Sequence, residues 1–585
     1  MRLEHYFQDE LARLRQQGRE LACAYPGLSH YLSHANSDPD VERLLEGAAF
    51  LTATLRARID DQFPELSQGL LQLVAPHLLQ ITPSLTVLHF QPIPHACQQP
   101  AWLAAGCEID SEPVTGRRCR FRTCHDGWIY PARSQVTLNA QRDRLSLTLD
   151  LFSPTATEQL ALEQLTFHLG GELAAASDLY LWLRQRLSHI ELEYGSRSSS
   201  LSANSLVPIG FTPEEALLPA SAVGFPAHAL LQQYYACANT LLFFKLRPPA
   251  ALAAQGLVSQ FHLHFHFNRP LPSTLVIDDQ SLLPNCFPAA NLFQQEAEPI
   301  YRHGYHHEYP LRAQQQEPEA YEIFSVDRVE SWRPHPHTDA SAFSQAQPVC
   351  YRPFSPFTPP GNAADGQYRL HSRPRLNGEG LQHSLSFLDA PGSHLPEPGE
   401  SISITLTCCD RNQPSQLPPG AIHLPTGNSP SHSRCQNLLR PSAACYPPLD
   451  ESQHWLLLNQ LRHHYHTLLD KERLQALLAS FSTGASISPD AKRQHDARLA
   501  AMLSLTTHSN ERLFEGLPIR GLHSQLQMDG QSFGSEGELY LFGCVLAHFL
   551  AQYVSINSFH QLEILNPHTG ERYLWPPMSG TRPLL

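Results

Sequence analysis

The clearest hydrophobic pattern in the chain lies between Ser37 and Pro83, where apolar residues recur with the period of an α-helix. Asp38 can accept hydrogen bonds from the first free amides of a helix. Pro39 suits the first helical position, because the N–H that it lacks would have no partner there. The pattern therefore predicts an amphipathic helix whose apolar stripe consists of Val41, Leu44, Leu45, Ala48, Leu51, Leu55 and Ile59.

A second amphipathic helix is predicted directly after the first one. The dipeptide Phe63-Pro64 ends the first helix and allows the chain to restart at an angle. The new helix stops near Pro76. Its apolar stripe consists of Leu66, Leu70, Leu73 and Val74.

The N-terminal residues predict a third helix with a narrow hydrophobic seam. The seam residues are Leu3, Phe7, Leu11, Leu14, Gly18, Leu21 and Tyr25, which follow one another in steps of three or four. A seam this narrow requires a partner helix. The partner is either the pair of helices that follows in the same chain or a helix of another chain in an intermolecular bundle. The pattern alone favours packing within the chain.

After Pro83 the pattern changes to short alternating strands, such as LTVLHF at 85–90 and QFHLHFHF at 260–267, with Gly and Pro between them. Residues 177–190 predict a helix with Ser177 as its N-cap, and 197–205 read as a polar linker. The segment 334–360 is rich in Pro, His and Ser and is expected to be a loop.

The last part of the chain turns helical again. Residues 454–481 predict one long helix or two, and 519–528 predict short strands. A further helix is expected from about Glu536. Its run LYLFGCVLAHFLAQYV at 539–554 contains His548 and Gln552 and is too short to span a bilayer, so it reads as a buried helix.

These elements predict a multidomain α+β protein: a helical N-terminal region, β-rich middle domains and a mixed α/β C-terminal region. The proposed division places an N-terminal helical region at 1–83 and a β-rich domain with one helix at 84–200. A linker and helical segment follows at 201–250. A second β-rich domain with long loops occupies 251–420, and the mixed C-terminal region occupies 421–585.

Composition argues against several classes of function. The net charge is −14, only 16% of residues are charged, and only three lysines occur, so no basic stripe is available for nucleic acid or for an acidic membrane surface. The N-terminus is charged and amphipathic, unlike a secretory signal, and no direct membrane insertion is expected. Thirteen cysteines, an odd number without a repeat, fit reduced thiols in the cytoplasm.

One short motif suggests an enzyme. The turn at 530–534, GQSFG, matches the G-x-S-x-G elbow of serine hydrolases and lies between a predicted strand and a predicted helix. Only about 50 residues follow Ser532, which is too few for the sheet that should carry the acid and the histidine. Glu563 with His568 would keep the order of the triad but crowd both into one segment. The alternative reading is a glycine-rich turn that leads into a helix.

Two groups of residues suggest a metal site. His262, His264 and His266 share one face of a strand, where neighbouring histidines can chelate zinc. The alternative is that the intervening apolar residues line the core and the histidines face solvent. A looser cluster consists of Cys107, Cys119, Cys124 and His125, without the spacing of a zinc ribbon. His463, His464 and His466 are expected on an exposed helix face. No P-loop, HExxH or complete dinucleotide motif occurs, and no cofactor is expected.

Several blocks resemble the TssF family, baseplate subunits of the bacterial type VI secretion system. They are YFQDELARLRQQGRELACAYP near the N-terminus, the block DPDVERLLEGAAFLTATLRARIDDQFPELSQGLLQLVAPH, and SFGSEGELYLFGCVLAHFLAQYVSINSFHQLEI at 532–564. The segments at 210–219, 284–300 and 321–331 are similar to the family as well, so the resemblance covers nearly the whole chain. The loops at 334–365 are not recognisable.

The resemblance implies a structural subunit rather than an enzyme. In this family two TssF copies join one TssG as the core of a wedge that carries TssK. The wedges surround the spike hub, and TssE and the sheath are further expected partners. The location implied is the cytoplasm, in a baseplate docked at the inner-membrane complex. On this basis we expect the N-terminal seam to enter the intermolecular bundle, with interface residues Leu3, Phe7, Leu11, Leu14 and Leu21.

Overall fold

The structure is a computed structural model of the chain. It describes residues 2–24, 39–60, 67–72, 75–156, 159–160, 162–195, 197–218, 226–247, 256–303, 306–315, 317, 320–332, 349–354, 366–375, 380–388, 400–447, 454–455, 470–481, 489–514 and 517–580. Residues 67–72 are helical. The longer described helices are α1 (Arg2–Ala24), α2 (Pro39–Asp60), α3 (Leu173–Gln185), α4 (Pro226–Cys237), α5 (Lys471–Ser480), α6 (Pro489–Ala500) and α7 (Glu536–Ala551).

Strands are the commonest element of the described chain after residue 84. The first half contains β1 (Leu85–Pro92), β2 (Ala101–Leu103), β3 (Glu108–Val114), β4 (Arg117–Thr123), β5 (Gly127–Ile129), β6 (Ala132–Leu138), β7 (Arg144–Ala156), β8 (Thr166–His168), β9 (Leu187–Tyr194), β10 (Arg197–Ser202), β11 (Leu206–Ile209), β12 (Phe243–Leu246), β13 (Leu257–Phe267), β14 (Leu283–Pro284) and β15 (Cys286–Ala290). The second half contains β16 (Phe293–Glu296), β17 (Ile300–Arg302), β18 (Tyr309–Leu311), β19 (Tyr321–Trp332), β20 (Val349–Pro353), β21 (Gln367–Pro374), β22 (Leu381–Leu388), β23 (Glu400–Asp410), β24 (Ile422–Pro425), β25 (Ser433–Asn437), β26 (Met502–Phe514), β27 (Leu517–Met528), β28 (Ser558–Leu565), β29 (Arg572–Leu574) and β30 (Met578–Ser579).

The sheets combine strands that are far apart in sequence. A six-stranded sheet has the order β24-β3-β4-β15-β1-β25, and an eight-stranded sheet runs β16-β23-β19-β20-β21-β22-β18, with β17 paired to β23. A five-stranded sheet has the order β10-β9-β13-β7-β6, and a four-stranded one the order β11-β12-β8-β14. The C-terminal sheet runs β26-β27-β28-β29, with β30 paired to β28, and β2 pairs with β5. The division of the chain into sequence segments stays a prediction.

The largest hydrophobic core surrounds α7. This helix packs against α3, α4 and β28. The same core includes the inner faces of β7, β9 and β13. Separate cores fill the eight-stranded and the six-stranded sheets. The predicted multidomain α+β class is confirmed, and α7 begins at Glu536 as the sequence indicates. Its N-cap is Ser535, whose hydroxyl accepts a hydrogen bond from the N–H of Glu538 at 3.2 Å.

Two predictions for the segment around residue 190 were wrong. The helix predicted at 177–190 begins at Leu173 and ends at Gln185, so Ser177 lies inside it and is fully buried. Residues 187–194 form β9 instead, because Ile190, Leu192 and Tyr194 are buried with the period of a strand. The predicted polar linker at 197–205 begins with β10, which pairs antiparallel with β9 as the edge of its sheet.

Some predicted elements lie partly or wholly outside the described residues. Of the helix predicted at 454–481, the structure describes only 454–455 and 470–481, where α5 lies. Of the loop predicted at 334–360, it describes 349–354, which contain the strand β20. Three other predicted features lie outside the described residues: the bend at 63–64, the residues Leu66, Leu73 and Val74 of the second stripe, and the histidines at 463, 464 and 466.

Candidate interaction surface

The helix α2 has one face made of small residues, and this face packs inside the chain. Ala49 and Ala53 are fully buried and lie one turn apart. Helices α1 and α2 contact each other along their length. Small side chains at positions i and i+4 allow two helix backbones to approach closely. The alanine face therefore explains how the two N-terminal helices form a pair.

The opposite face of α2 carries large hydrophobic residues that remain exposed. Leu44 is 74% exposed, Leu51 is 66% exposed and Leu55 is 61% exposed. Together with Ala48, which is also exposed, they follow one another in steps of four, three and four, the spacing of a coiled-coil seam. At 100° per residue this leucine seam points away from Ala49 and Ala53. Phe50, which is 52% exposed, lies on the flank of the helix between the seam and the alanine face. Among the described residues, the α1–α2 pair thus has an unpartnered hydrophobic seam.

The predicted seam of α1 is divided between the interior and the surface. Leu11 is 5% exposed, so it packs within the chain. Phe7 and Leu14 are half-buried, and Leu21 is 45% exposed. The side chain of Leu3 lies outside the described residues. Leu11 therefore packs within the chain while Leu21 remains exposed, and the predicted role of these residues in an interface stays a prediction.

The segment after α2 is anchored to the eight-stranded sheet. Helical residues 67–72 include Leu71, which is fully buried in the large core. The side-chain amide of Gln68 donates to the carbonyl of Ser372 at 2.9 Å, and that of Gln72 donates to the carbonyl of Leu370 at 2.9 Å. These bonds attach the end of the N-terminal region to β21.

The GQSFG motif forms a helix-entry turn. Residues Gly530–Ser532 make one 3-10 turn, which Asp529 caps by accepting the N–H of Gln531 at 2.9 Å. Phe533 is buried against α7. Gly537 lies so close to α3 that a Cβ would come within about 2.1 Å of the Ser177 backbone. The glycines of this segment thus serve a turn and a close helix contact.

The residues that a serine hydrolase would need are engaged elsewhere. The imidazole of His568 pairs with Asp529 at 3.1 Å, and Glu563 pairs with His523 at 3.2 Å. Within the described part of the chain, neither His568 nor Glu563 hydrogen-bonds to the hydroxyl of Ser532. A base that does not contact the serine cannot take its proton. The geometry therefore favours the structural interpretation of this turn.

The strand histidines form a ladder on the outer face of β13. As predicted, Phe261, Leu263, Phe265 and Phe267 are buried, and the histidines share the other face. The Nδ1 atoms of His262 and His264 hydrogen-bond to Thr148 and Ser146 on β7, at 2.9 Å and 2.7 Å. On the other side, the Nε2 atom of His264 lies 3.6 Å from a carboxylate oxygen of Glu193 on β9.

The third histidine of the ladder pairs with a histidine of β9. The rings of His266 and His189 stack in parallel, with centroids 4.4 Å apart, and the Nε2 atom of His266 lies 3.5 Å from Glu191. Burial and the neighbouring His189 lower the pKa of His266, which favours its neutral form. The ladder thus lies among hydroxyl and carboxylate groups, and the Nε2 atom of His266 has no hydrogen-bond partner among the described residues. The described residues include no group of three ligands placed to hold a metal ion.

The cysteine cluster is buried rather than assembled around a common point. Cys107 and Cys119 lie in the core of the six-stranded sheet, and His125 hydrogen-bonds to the carbonyl of Glu215 at 3.0 Å. Burial raises the pKa of Cys107 to about 11 and that of Cys124 to about 12, so both thiols are protonated at neutral pH. The cysteines in the described part of the chain are free thiols.

The sequence pattern identifies the leucine seam but does not show whether it faces the core or the solvent. Periodicity shows that Leu44, Leu51 and Leu55 share a face, yet it does not show whether that face is covered. A second signal was present in Ala49 and Ala53, whose spacing marks a face suited to close helix packing. Among the described helices, none is both long and apolar enough to cross a membrane.

A large α+β chain with an uncovered helical seam has the features of a subunit built for assembly. The family to which it belongs is TssF of the type VI secretion system: the family model described as "Type VI secretion system, TssF" matches residues 1–582. A curated relative, the "Type VI secretion system component TssF1" of Pseudomonas aeruginosa PAO1, is 26% identical over the full length of both chains.

Solved structures of baseplates share this fold. A chain of a TssK–TssF–TssG baseplate subcomplex, solved by cryo-electron microscopy, superposes with a TM-score of 0.74 at 26% identity, covering 93% of this chain and 99% of the other. A chain of the baseplate complex from the type VI secretion system gives a TM-score of 0.67 at 22% identity, with both chains fully covered. These matches confirm the predicted identification as a TssF-type structural subunit of the baseplate.

Proposed function

We propose that this chain is a scaffold of the baseplate wedge, in which two copies join one TssG and together carry TssK. The wedge would stand around the spike hub, next to TssE and the sheath, on the cytoplasmic side of the inner-membrane complex. The chain would act through its surfaces and not as an enzyme. Support comes from the family, from the TssK–TssF–TssG subcomplex that shares its fold, and from the engagement of His568 and Glu563 away from Ser532.

The observation that carries this proposal is the exposed leucine seam of α2. Burying one leucine side chain contributes roughly 1.5–3 kcal/mol. Three such side chains at 61–74% exposure supply enough apolar area to hold a helix, before the entropy of association is subtracted. The spacing of Leu44, Leu51 and Leu55 fits a helix of a partner. Residues separated by alternating steps of three and four lie along one side of a helix, where their side chains can insert between those of a second helix.

The α1 seam would have two roles in this bundle. Leu11, which is buried, would hold α1 against α2 inside the chain. Phe7, Leu14 and Leu21, together with Leu3, would extend the contact surface toward TssG or the second copy. Two copies around one partner cannot occupy equivalent positions, so we expect some loops to differ in conformation between the two copies.

The experiment introduces charge into the seam of α2. In the double variant Leu51→Asp with Leu55→Asp, two carboxylates would have to be buried at the helical contact, which is strongly unfavourable. We expect the variant to remain folded, because both side chains are exposed, and to lose co-purification of TssG and TssK from its own cells by more than about tenfold.

The matched control is Arg43→Asp. Arg43 is exposed on the same helix, about 80° or more around from every residue of the seam, and its replacement changes the net charge by the same two units as the double variant. We expect this variant to bring down the partners normally. Intact partner binding by the double variant, with its circular dichroism unchanged, would refute the role of the seam.

A further inference from the structure

The strand β26 forms a long free edge of the C-terminal sheet. It pairs with β27 along its length, from Met502 to Phe514, and it is the terminal strand of that sheet. The side-chain ammonium of Lys471 donates to the carbonyl of Leu503 at 3.1 Å and covers the start of the edge. From residue 504 to 514, no described residue forms a backbone hydrogen bond on the outer side of the strand. Within the described part of the chain, an edge of about 35 Å is therefore open.

This edge lacks the features that normally prevent strands from pairing. Residues 502–514 contain neither proline nor lysine, and the register irregularity lies at its start, between Met502 and Ser504. The two charged residues are already paired on the sheet itself. Glu511 lies 2.9 Å from Arg520, and Arg512 donates to the side chain of Gln561 at 2.8 Å. Open backbone groups without a blocking charge make a template for another strand.

We propose that β26 pairs antiparallel with β26 of a second copy of this chain, with Ser509 at a local two-fold axis that relates only the two strands, so the copies can still differ elsewhere. Ser509 is the midpoint of the open edge, so all eleven residues from 504 to 514 would pair. Such a pairing forms about ten backbone hydrogen bonds between the copies. Because the contact is isologous, it closes after two copies and does not extend into a fibre.

The side chains along this register favour the second copy over another occupant. Leu513, which is 78% exposed, would face Leu505 of the other copy and gain an apolar neighbour. The remaining pairs are Ser504 with Phe514, Thr506 with Arg512, Thr507 with Glu511, and His508 with Asn510. Each charged residue faces a hydroxyl group, and no like charges meet. Two copies of the same strand are therefore complementary to each other.

The inference adds a contact to the two-copy wedge proposed above, and it can be tested apart from the helical seam. The test places a cysteine at the two-fold axis, where the two Cα atoms would lie about 4.5–5.5 Å apart, within reach of a disulfide. Ser509→Cys is made in the full chain together with Cys350→Ser, because Cys350 is an exposed free thiol. The complex is isolated from its own cells and oxidised with copper phenanthroline.

The matched control is Thr506→Cys in the same background. It is exposed on the same strand, but in the proposed register its two copies would lie about 20 Å apart. We expect at least about tenfold more disulfide-linked dimer with Ser509→Cys than with Thr506→Cys. Mass spectrometry should find a disulfide that joins position 509 of one copy to position 509 of the other. Equal yields of dimer, or a position 509 linked to a different protein, would overturn the proposal.

Co-purified TssG and TssK are measured on the same samples. If they are bound but the Ser509→Cys dimer is absent, the strand pairing fails and the wedge function stands. If the dimer forms while Leu51→Asp with Leu55→Asp leaves partner binding intact, the helical interface fails and the strand pairing stands.

Discussion

Helices α2 and α7 differ in where their hydrophobic residues find partners. All but two of the sixteen residues of α7 are buried, on every side of the helix. Among the described side chains of α2, only Ala49 and Ala53 are buried, and its leucines face outward. A helix that is apolar all round completes its burial inside the chain, whereas a helix with an uncovered seam depends on another molecule. The hydrophobic residues of α7 therefore contribute to the core, whereas the large ones of α2 contribute to the surface that we propose for assembly.

The largest contrast is expected from truncating one large side chain in each helix. Phe549 is fully buried in α7, so Phe549→Ala should destabilise the chain by about 3–5 kcal/mol. Leu51 is mostly exposed, and Leu51→Ala should change stability by less than about 0.5 kcal/mol. Urea unfolding of the isolated chain measures both. A cost above about 1 kcal/mol for Leu51→Ala would mean that the seam is already covered within the chain.

Replacing a glycine with alanine should change the stability of the chain in opposite directions in the two helices. A Cβ at Gly537 of α7 would come within about 2.1 Å of the α3 backbone, so Gly537→Ala should cost about 1–3 kcal/mol. A Cβ at Gly47 of α2 would meet nothing within 4 Å, and Gly47→Ala should stabilise by up to about 1 kcal/mol through helix propensity. Thermal unfolding reports both shifts. Two shifts of the same sign would contradict the contrast in packing.

The smallest effect concerns pH. Burial lowers the pKa of His548 on α7; a hydrogen bond to the Cys544 carbonyl and nearby Glu215 oppose this shift, and Arg184 adds to it. A folded-state pKa below the unfolded value of 6.5 means that the stability is present in full above pH 6.5 and is lost as pH falls below it. Burial also lowers the pKa of other histidines to about 4, namely His89, His168, His383 and His560.

The variant His548→Gln removes the part of this pH-dependent loss of stability that His548 causes. We expect the urea midpoint to fall less between about pH 7.5 and about pH 5.5 in the variant than in the native chain. Leu51→Ala serves as the control, because α2 contains no histidine and the pH dependence should not change. An unaltered pH dependence in His548→Gln would show that this group does not contribute.

Local patterns predicted the elements whose own sequence decides their burial. The spacing of α2, the alternation of β13 and the start of α7 near Glu536 all lie within one short window. The segment at 197–202 was misread because a strand at the edge of a sheet needs no apolar alternation on its outer face, so the serines of β10 resembled a linker. Its strand character comes from pairing with β9, which no short window contains.

The candidate surface could be predicted only in part, for a similar reason. The leucines of α2 define a stripe, but their exposure depends on which face α1 takes, and that choice is made by packing at Ala49 and Ala53. The open edge of β26 gave no sequence signal, because a strand lies at an edge only when no other strand pairs with one of its sides, and its own sequence does not show this. Surfaces used for assembly are thus the part of this protein that depends most on its tertiary structure.

The six-stranded sheet sets an order of events during synthesis. Its strand β1 lies between β15 and β25, and β25 begins at Ser433, about 340 residues after β1 ends. At ribosomal rates of about 5–20 residues per second, β1 would wait roughly 20–70 s for its second neighbour. The nascent chain must keep this strand from pairing wrongly for that time, so chains truncated before residue 433 should be prone to aggregation.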